Sequence, residues 1–203
     1  MTRDDILTAA AQMFSQKGFH ATSMQDIAQA VHLQKASLYH HVASKQEILV
    51  GVLDWALDLL IERMESVMNQ PLPADAKLRQ AIQVYLTTLL EHRDLAAVLL
   101  LEHRSLKPDL HARHIPRRDR YEQLWRDLIL EGIQSSDFRK CDPAMAAKAL
   151  LGVMNWCITW YRSDGPLSPQ EIAAQFADLF LEGLVAHAEA VNRPEPHEPN
   201  TSA

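Results

Sequence analysis

The hydrophobic residues of this chain recur at intervals of three and four positions, the spacing of one face of an α-helix. The first such set consists of Ile6, Leu7, Ala10, Met13 and Phe14. Gly18 follows this set, and glycine adopts the left-handed conformation common at helix C-termini without a steric cost. Together these positions predict an amphipathic helix over Arg3–Lys17. Strand-like alternation and internal repeats are absent from the sequence, so we expect an all-α protein.

Two short helices joined by a tight turn are predicted over Thr22–Val42. Thr22 lies three residues before Gln25, and Ser44 lies three residues before Glu47, which is the spacing of a capping box. The shared apolar face of the two helices consists of Ile27, Ala28, Val31, Leu33, Leu38 and Val42. The second helix is polar and ends in an aromatic residue. A pair of this kind lays its second helix in the major groove of DNA while the first supports it.

The same segment resembles the TetR family of transcriptional regulators. The matching positions are Phe14, Gly18, Thr22, Ile27, Ala28, Ser37, Leu38, Tyr39, His40, His41 and Lys45. In that family the second short helix binds the operator, and a long fourth helix joins it to a ligand-binding body. The resemblance implies a three-helix DNA-binding head with a helix-turn-helix over residues 1–44, and a helical ligand-binding and dimerisation body over residues 45–191. The proline-rich residues 192–203 are predicted to form a disordered tail.

The resemblance also assigns DNA contacts to individual residues. The predicted set is Thr22, Ser23, Gln34, Lys35, Ser37, Leu38, Tyr39, His40 and Lys45. Among these, Gln34 suits adenine and Lys35 suits guanine, whereas Thr22, Tyr39 and Lys45 would hold phosphates. The alternative is that Tyr39 is a core ring and Lys45 a solvated residue of the turn. The chain departs from the family pattern at His32, Gln34 and Val42, where the family usually has Gly, a Ser or Thr cap, and an aromatic residue.

The charge of the head is balanced rather than basic. Residues 1–50 contain four Lys or Arg and four Asp or Glu, whereas the whole chain carries a net charge of −6. Because DNA-binding domains usually carry a basic patch, we expect modest non-specific affinity and two heads acting together on one palindromic duplex operator.

The rest of the chain predicts a helical body interrupted at prolines. The predicted helices are Lys45–Asn69, Asp75–His92, Leu95–Arg104, Ile115–Ser135, Asp142–Arg162 and Ser168–His187. The last two begin with a capping residue followed by proline at the first helical position. Both carry apolar stripes that include Gly152 and Gly183. TetR-like proteins dimerise through such a helix pair, so the resemblance implies a homodimer, although the stripes also suit an intrachain core.

The segment Leu150–Arg162 combines aromatic rings with polar groups, as a pocket for a bulky apolar ligand would. The predicted ligand-binding residues are Arg104, Tyr121, Trp125, Asn155, Trp156, Trp160 and Arg162. The segment resembles a TetR subgroup in which an acyl-CoA thioester releases the operator. An arginine cluster, namely Arg113, Arg117, Arg118 and Arg120, either binds CoA phosphates or is a solvated face paired with Asp119 or Glu122. The alternative function is a multidrug- or other hydrophobic-ligand-sensing repressor of an efflux system.

Other classes of function lack support in the sequence. Glycine-rich phosphate loops and nucleophile elbows are missing, and His103, His111 and His114 form no recognisable metal-ligand set. An architectural DNA-binding protein would need no apolar body and would carry positive charge. With two isolated cysteines and no apolar run long enough to span a bilayer, we expect a cytoplasmic, ligand-responsive repressor that is not an enzyme, does not contact membranes and has no cofactor.

Overall fold

The computed structural model describes residues 2–184, and its regular elements within this range are helices joined by turns and short loops. The helices are α1 (Arg3–Lys17), α2 (Met24–Ala30), α3 (Lys35–Leu38), α4 (Lys45–Met68), α5 (Ala74–Glu91), α6 (Arg93–Ala97), α7 (Pro108–Gln134), α8 (Pro143–Trp160) and α9 (Pro169–Leu184). The all-α prediction is therefore confirmed. The predicted tail and the predicted helix end at His187 lie outside the described residues. Between residues 2 and 184, no helix is both long and apolar enough to cross a membrane.

Local capping chemistry sets the ends of several helices. Gly18 ends α1 with a φ of +82°, as predicted. The capping box of α2 is formed by Ser23 and Asp26, one residue later than the predicted pair. Ser44 caps α4 by accepting a hydrogen bond from the Glu47 N–H at 3.1 Å. Asp142 caps α8 in the same manner, because its carboxylate accepts from the Ala144 N–H at 2.8 Å.

Two predictions for the middle of the body are wrong. Helix α7 begins at Pro108 rather than Ile115, so that Pro116 lies inside it and the histidines at 111 and 114 lie on a helix instead of a loop. Proline at the first helical position costs little, because the N–H that it lacks would have no partner there. The predicted helix Leu95–Arg104 is divided into α6, a π-helical turn (Val98–Glu102) and a 3₁₀ turn (His103–Ser105).

Helix α4 connects the head to the body. It packs against α1 in the head and against α5 and α7 in the body. Helix α9 lies along α5, and α8 lies against α7. Twelve residues of α4 are buried, so this helix is packed on several sides and forms the structural link between head and body.

Candidate DNA-binding surface and ligand cavity

The turn between α2 and α3 is tight and contains a residue in the left-handed conformation. His32 has a φ of +55°, at the position where the family usually has glycine. The turn is closed by the Leu33 N–H, which donates to the Ala28 carbonyl oxygen at 2.8 Å. A non-glycine residue in this conformation costs roughly 1–2 kcal/mol, so the packing of the two short helices must hold the turn.

The outer surface of α3 and the following turn is solvent-exposed. Its exposed residues are Gln34, Lys35, Ala36, Tyr39, His40 and His41, and Ser37 is half-buried. Tyr39 is 48 % exposed, so it is not a core ring. Residues 27–46 contain no Asp or Glu, and this surface therefore carries Lys35, His40 and His41 without an acidic residue among them. The predicted base and phosphate contacts of these exposed residues remain predictions.

Two of the predicted DNA contacts are wrong because their side chains point inward. Leu38 is completely buried and is the one buried residue of α3, which it anchors to the core. Thr22 is 1 % exposed, and its hydroxyl donates to the Gly18 carbonyl oxygen at 2.9 Å. The hydroxyl available at the start of α2 is that of Ser23, which is exposed and accepts from the Asp26 N–H at 3.1 Å.

Lys45 is also turned inward rather than toward a phosphate. Its ammonium group donates to the carbonyl oxygens of Phe19 at 2.8 Å, Thr22 at 2.6 Å and His20 at 3.4 Å. It lies 4.3 Å from the centroid of the Phe19 ring, and burial lowers the pKa of the amine. These contacts account for the three protons of the ammonium group in this structure. Lys45 joins the start of α4 to the turn between α1 and α2, and its contact with a DNA phosphate remains a prediction.

The body contains a cavity of about 360 Å³ enclosed by α4, α5, α7, α8 and the π-helical turn. Its lining residues are Leu57, Leu60, Tyr85, Leu99, Leu100, His103, His114, Arg118, Tyr121, Glu122, Lys148, Leu151, Gly152 and Asn155. Arg118 and Lys148 are exposed, whereas His114 and both tyrosines are buried, so the cavity has a cationic rim and a deeper end. Burial also keeps the pKa of His103 below its usual value.

The deeper end of the cavity is aromatic and polar. The Tyr85 hydroxyl donates to the Asn155 Oδ1 atom. The rings of Tyr85 and Tyr121 are stacked with centroids 6.1 Å apart, and Trp125 packs edge-on against both. Burial raises the pKa of both tyrosines above the ordinary value, so both phenols stay protonated at neutral pH. The indole N–H of Trp125 is buried and has no hydrogen-bond partner in the described structure.

The structure divides the predicted ligand-binding residues into two groups. Tyr121 and Asn155 line the cavity. The other five do not. Trp125 is completely buried behind the tyrosines. Arg104 is exposed, and the Arg162 guanidinium pairs with Asp164 at 3.0 Å.

Trp156 and Trp160 do not line the cavity, because they lie on the outer face of α8. They are 66 % and 45 % exposed. The other large apolar residues exposed on α8 and α9 are Met145, Val153 and Leu179. A Cβ atom at Gly152 or Gly183 would meet nothing within 4 Å. These two helices therefore present an apolar face with room for close approach by another helix.

Most of the arginine cluster on α7 forms ion pairs with α4. Arg117 contacts Asp54 at 3.0 Å and Asp58 at 3.1 Å. The other pairs joining the two helices are Arg113 with Glu47, Arg120 with Glu65, and His114 with Asp54. Arg118 pairs with Asp119 at 3.0 Å, so the predicted pairing within α7 holds for this residue alone. The cluster thus joins α7 to α4 instead of forming a free phosphate site.

A second connection joins the body to the start of α4. The side-chain amide of Gln46 donates to the Ser105 carbonyl oxygen at 2.9 Å and accepts from the Lys107 N–H at 2.9 Å. The hydroxyl of Ser105 lies 3.3 Å from the His20 Nε2 atom in the head. The same short segment lines the cavity through His103. Sequence reasoning missed this segment, because a glutamine in the first turn of a helix carries no distinguishing signal.

Comparisons with known proteins agree with this architecture. Residues 6–52 match the bacterial regulatory proteins, tetR family, and residues 71–184 match the tetracyclin repressor-like C-terminal domain. The transcriptional repressor KstR2 of Mycolicibacterium smegmatis is 28 % identical over 187 residues, covering 90 % of each chain.

Solved structures extend the similarity to the whole fold. The TetR family regulator PfmR of Thermus thermophilus is 37 % identical, with a TM-score of 0.81 over 87 % of this chain and 97 % of its own. AibR, solved in complex with isovaleryl coenzyme A and operator DNA, is 28 % identical, with a TM-score of 0.78 over 90 % of this chain and 97 % of its own. Because these matches include both the head and the body, the chain belongs to the TetR family of bacterial transcriptional regulators.

Proposed function

We propose that this protein is a homodimeric repressor that binds a palindromic operator through its two heads and is released by a hydrophobic effector, an acyl-CoA thioester. The observation that carries the proposal is the leucine-lined cavity with a cationic rim, placed between α4 and α7. An acyl-CoA combines an apolar chain with an anionic nucleotide, so it matches the apolar interior and the positive charges of Arg118 and Lys148 at the same time.

The head supports the DNA-binding part of the proposal. Its outward residues Gln34, Lys35 and Tyr39 belong to the short helix that a helix-turn-helix places in the major groove. One head carries little positive charge and would bind DNA weakly. A second head on the same duplex would raise the affinity of the dimer. The apolar outer face of α8 and α9, which includes the exposed Trp156, would supply the surface on which two chains associate. Two-fold symmetry would then place the two reading helices about 34–36 Å apart, one turn of DNA.

The connections of α4 suggest how an effector acts on the head. A ligand in the cavity contacts α7 through Tyr121 and the π-helical turn through Leu99 and Leu100. Helix α7 is joined to α4 by ion pairs, and the segment after the π-helical turn is joined to α4 by Gln46. An effector that binds the DNA-free arrangement better by about 5.5 kcal/mol shifts a 1:99 balance to 99:1. A large apolar group buried in the cavity is able to supply such a difference.

A ligand panel tests the effector class. The panel contains short, long and aromatic acyl-CoAs, their free acids, CoA, and unrelated hydrophobic drugs. A ligand at 100 times its dissociation constant stabilises the native protein by about 2.7 kcal/mol, which a thermal melt detects. Stabilisation by one class of acyl-CoA, together with loss of DNA binding in fluorescence anisotropy, supports the proposal. Stabilisation by assorted drugs without acyl-CoA binding would instead establish the multidrug sensor.

Two neighbouring leucines give a matched pair of variants for this test. Leu100 lines the cavity, whereas Leu101 is 64 % exposed and does not. We expect Leu100→Trp to fill part of the cavity and abolish stabilisation by the effector. Leu101→Trp adds the same side chain outside the cavity and should leave the response intact. Equal responses of both variants would mean that the effector binds elsewhere.

A further inference from the structure

The deeper end of the cavity contains hydrogen-bond donors that no group within residues 2–184 accepts. Asn155 accepts one hydrogen bond, from Tyr85, and its own amide N–H groups have no partner within residues 2–184. The proton of the Tyr121 hydroxyl likewise has no acceptor there. The Trp125 indole N–H is near enough to Tyr121 to counter part of the rise in its pKa, yet completes no hydrogen bond. Two side chains that line the cavity, Tyr121 and Asn155, therefore carry donor hydrogens that nothing accepts within the described residues.

The presence of unaccepted donor hydrogens does not depend on how the Asn155 amide is oriented. The Tyr85–Asn155 pair has three polar hydrogens, one on the hydroxyl and two on the amide, and their mutual contact uses one. If the amide were rotated by half a turn, the Tyr85 proton would be left over instead. Tyr85 and Tyr121 are 3 % and 6 % exposed, Asn155 is half-buried, and all three line the cavity, so a ligand in the cavity reaches these groups.

We infer that this end of the cavity binds an oxygen atom of the effector, either the thioester carbonyl or a keto or hydroxyl oxygen on the acyl group. The inference rests on the proposed function for the CoA part of the ligand. Tyr121 and Asn155 donate to the oxygen, and the stacked Tyr85 ring holds both in place. A purely hydrocarbon group at this position leaves the donors unsatisfied, and such desolvated donors oppose binding. Tyr121 and Asn155 thus select oxygenated ligands over hydrocarbon ones.

An isosteric pair of small probes tests the inference without CoA. Acetophenone and α-methylstyrene have nearly the same shape, but only the first has a carbonyl oxygen. We expect the protein to bind acetophenone at least about 10-fold more tightly in isothermal titration. Tyr121→Phe and Asn155→Leu should each reduce that preference by about 3- to 10-fold. Tyr161→Phe, which removes a hydroxyl outside the cavity lining, should not change it.

Three CoA derivatives then distinguish the source of the oxygen. S-octyl-CoA lacks the thioester carbonyl of octanoyl-CoA, and 7-oxooctanoyl-CoA adds a ketone near the end of the chain. If the thioester carbonyl is bound, S-octyl-CoA is the weakest of the three. If a chain oxygen is bound, 7-oxooctanoyl-CoA is the strongest.

The outcomes separate the two proposals. Equal affinity for acetophenone and α-methylstyrene, a preference unchanged in both cavity variants, or no acetophenone binding at millimolar concentration overturns the inference. Failure of every CoA derivative to bind, with the carbonyl preference intact, refutes the CoA effector and leaves the oxygen site established.

Discussion

Removal of the Lys45 amine tests whether this cation supports the fold of the head rather than DNA binding. Lys45→Met keeps most of the side-chain length and removes the two short hydrogen bonds of 2.8 and 2.6 Å to Phe19 and Thr22. Hydrogen bonds from a charged group contribute about 1.5–3 kcal/mol each. Because Lys45 is only half-buried and water replaces part of the loss, we expect the free energy of unfolding to fall by about 2 kcal/mol. The melting temperature should then drop by roughly 4–8 °C.

Lys35→Met is the matched control, since Lys35 is exposed on α3 and forms no ion pair in the described residues. Each phosphate contact adds about 0.9 to the slope of log affinity against log salt concentration. Lys35→Met should lower this slope by about 1 and leave the melting temperature nearly unchanged. Lys45→Met should lower the melting temperature and leave the slope unchanged.

The assay measures fluorescence anisotropy of a duplex selected from random sequence, between 50 and 200 mM KCl, alongside thermal melts followed by circular dichroism. Binding is measured well below the melting temperature so that the Lys45 variant is folded. A normal melting temperature for Lys45→Met together with a slope reduced by about 1 would show that the amine contacts a phosphate, and would refute the inward orientation.

Three further predictions concern the surface, the thiols and the acid stability. Trp156→Asp places a charge on the apolar face of α8 and α9. We expect the dissociation constant of the dimer, measured by sedimentation, to rise at least about 30-fold, because a large buried aromatic residue often dominates an interface. An unchanged dissociation constant would show that the dimer does not use this face. Burial raises the pKa of Cys157 to about 11, so at pH 8 a disulfide reagent should modify Cys141 long before Cys157; equal rates would contradict this burial. Hydrogen bonds from Ser23 lower the pKa of Asp26 from 3.8 to about 2. The ionised Asp26 carboxylate therefore contributes its full stability above pH 3.8, and this contribution is lost as the pH falls toward 2. The difference in melting temperature between wild type and Asp26→Asn should shrink over that range, and a constant difference would refute this.

The sequence predicted helix ends where the determining chemistry is local. Gly18 and the Asp142 cap depend on a few neighbouring residues, and both stand where expected. Pro108 shows the limit, because proline is equally compatible with the residues after one helix and with the first position of the next. Proline takes the first position of a helix only where the residues after it can pack against another part of the protein. For α7 that part is α4, which lies about 60 residues earlier in the chain.

The positions of the predicted site residues likewise depend on packing between distant parts of the chain. The spacing of Trp156 and Trp160 shows that they share a face of α8 but does not indicate whether that face is inside. Asn155 is their neighbour and points into the cavity. Lys45 could not be assigned from sequence either, because a long flexible cation reaches a phosphate or a backbone carbonyl equally well. Only the position of the preceding turn decides between them.

The two attachments of α4 differ in their response to ionic strength. Its middle is held to α7 by ion pairs such as Arg117 with Asp54 at 3.0 Å, whereas its first turn has the neutral amide contacts of Gln46 beside the longer ion pair of Glu47 with Arg113. Dissolved salt weakens the exposed charged pairs and leaves the amide hydrogen bonds almost untouched. The start of α4 therefore keeps a contact with the body that salt hardly affects, whereas the ion pairs that join its middle to α7 weaken as the ionic strength rises.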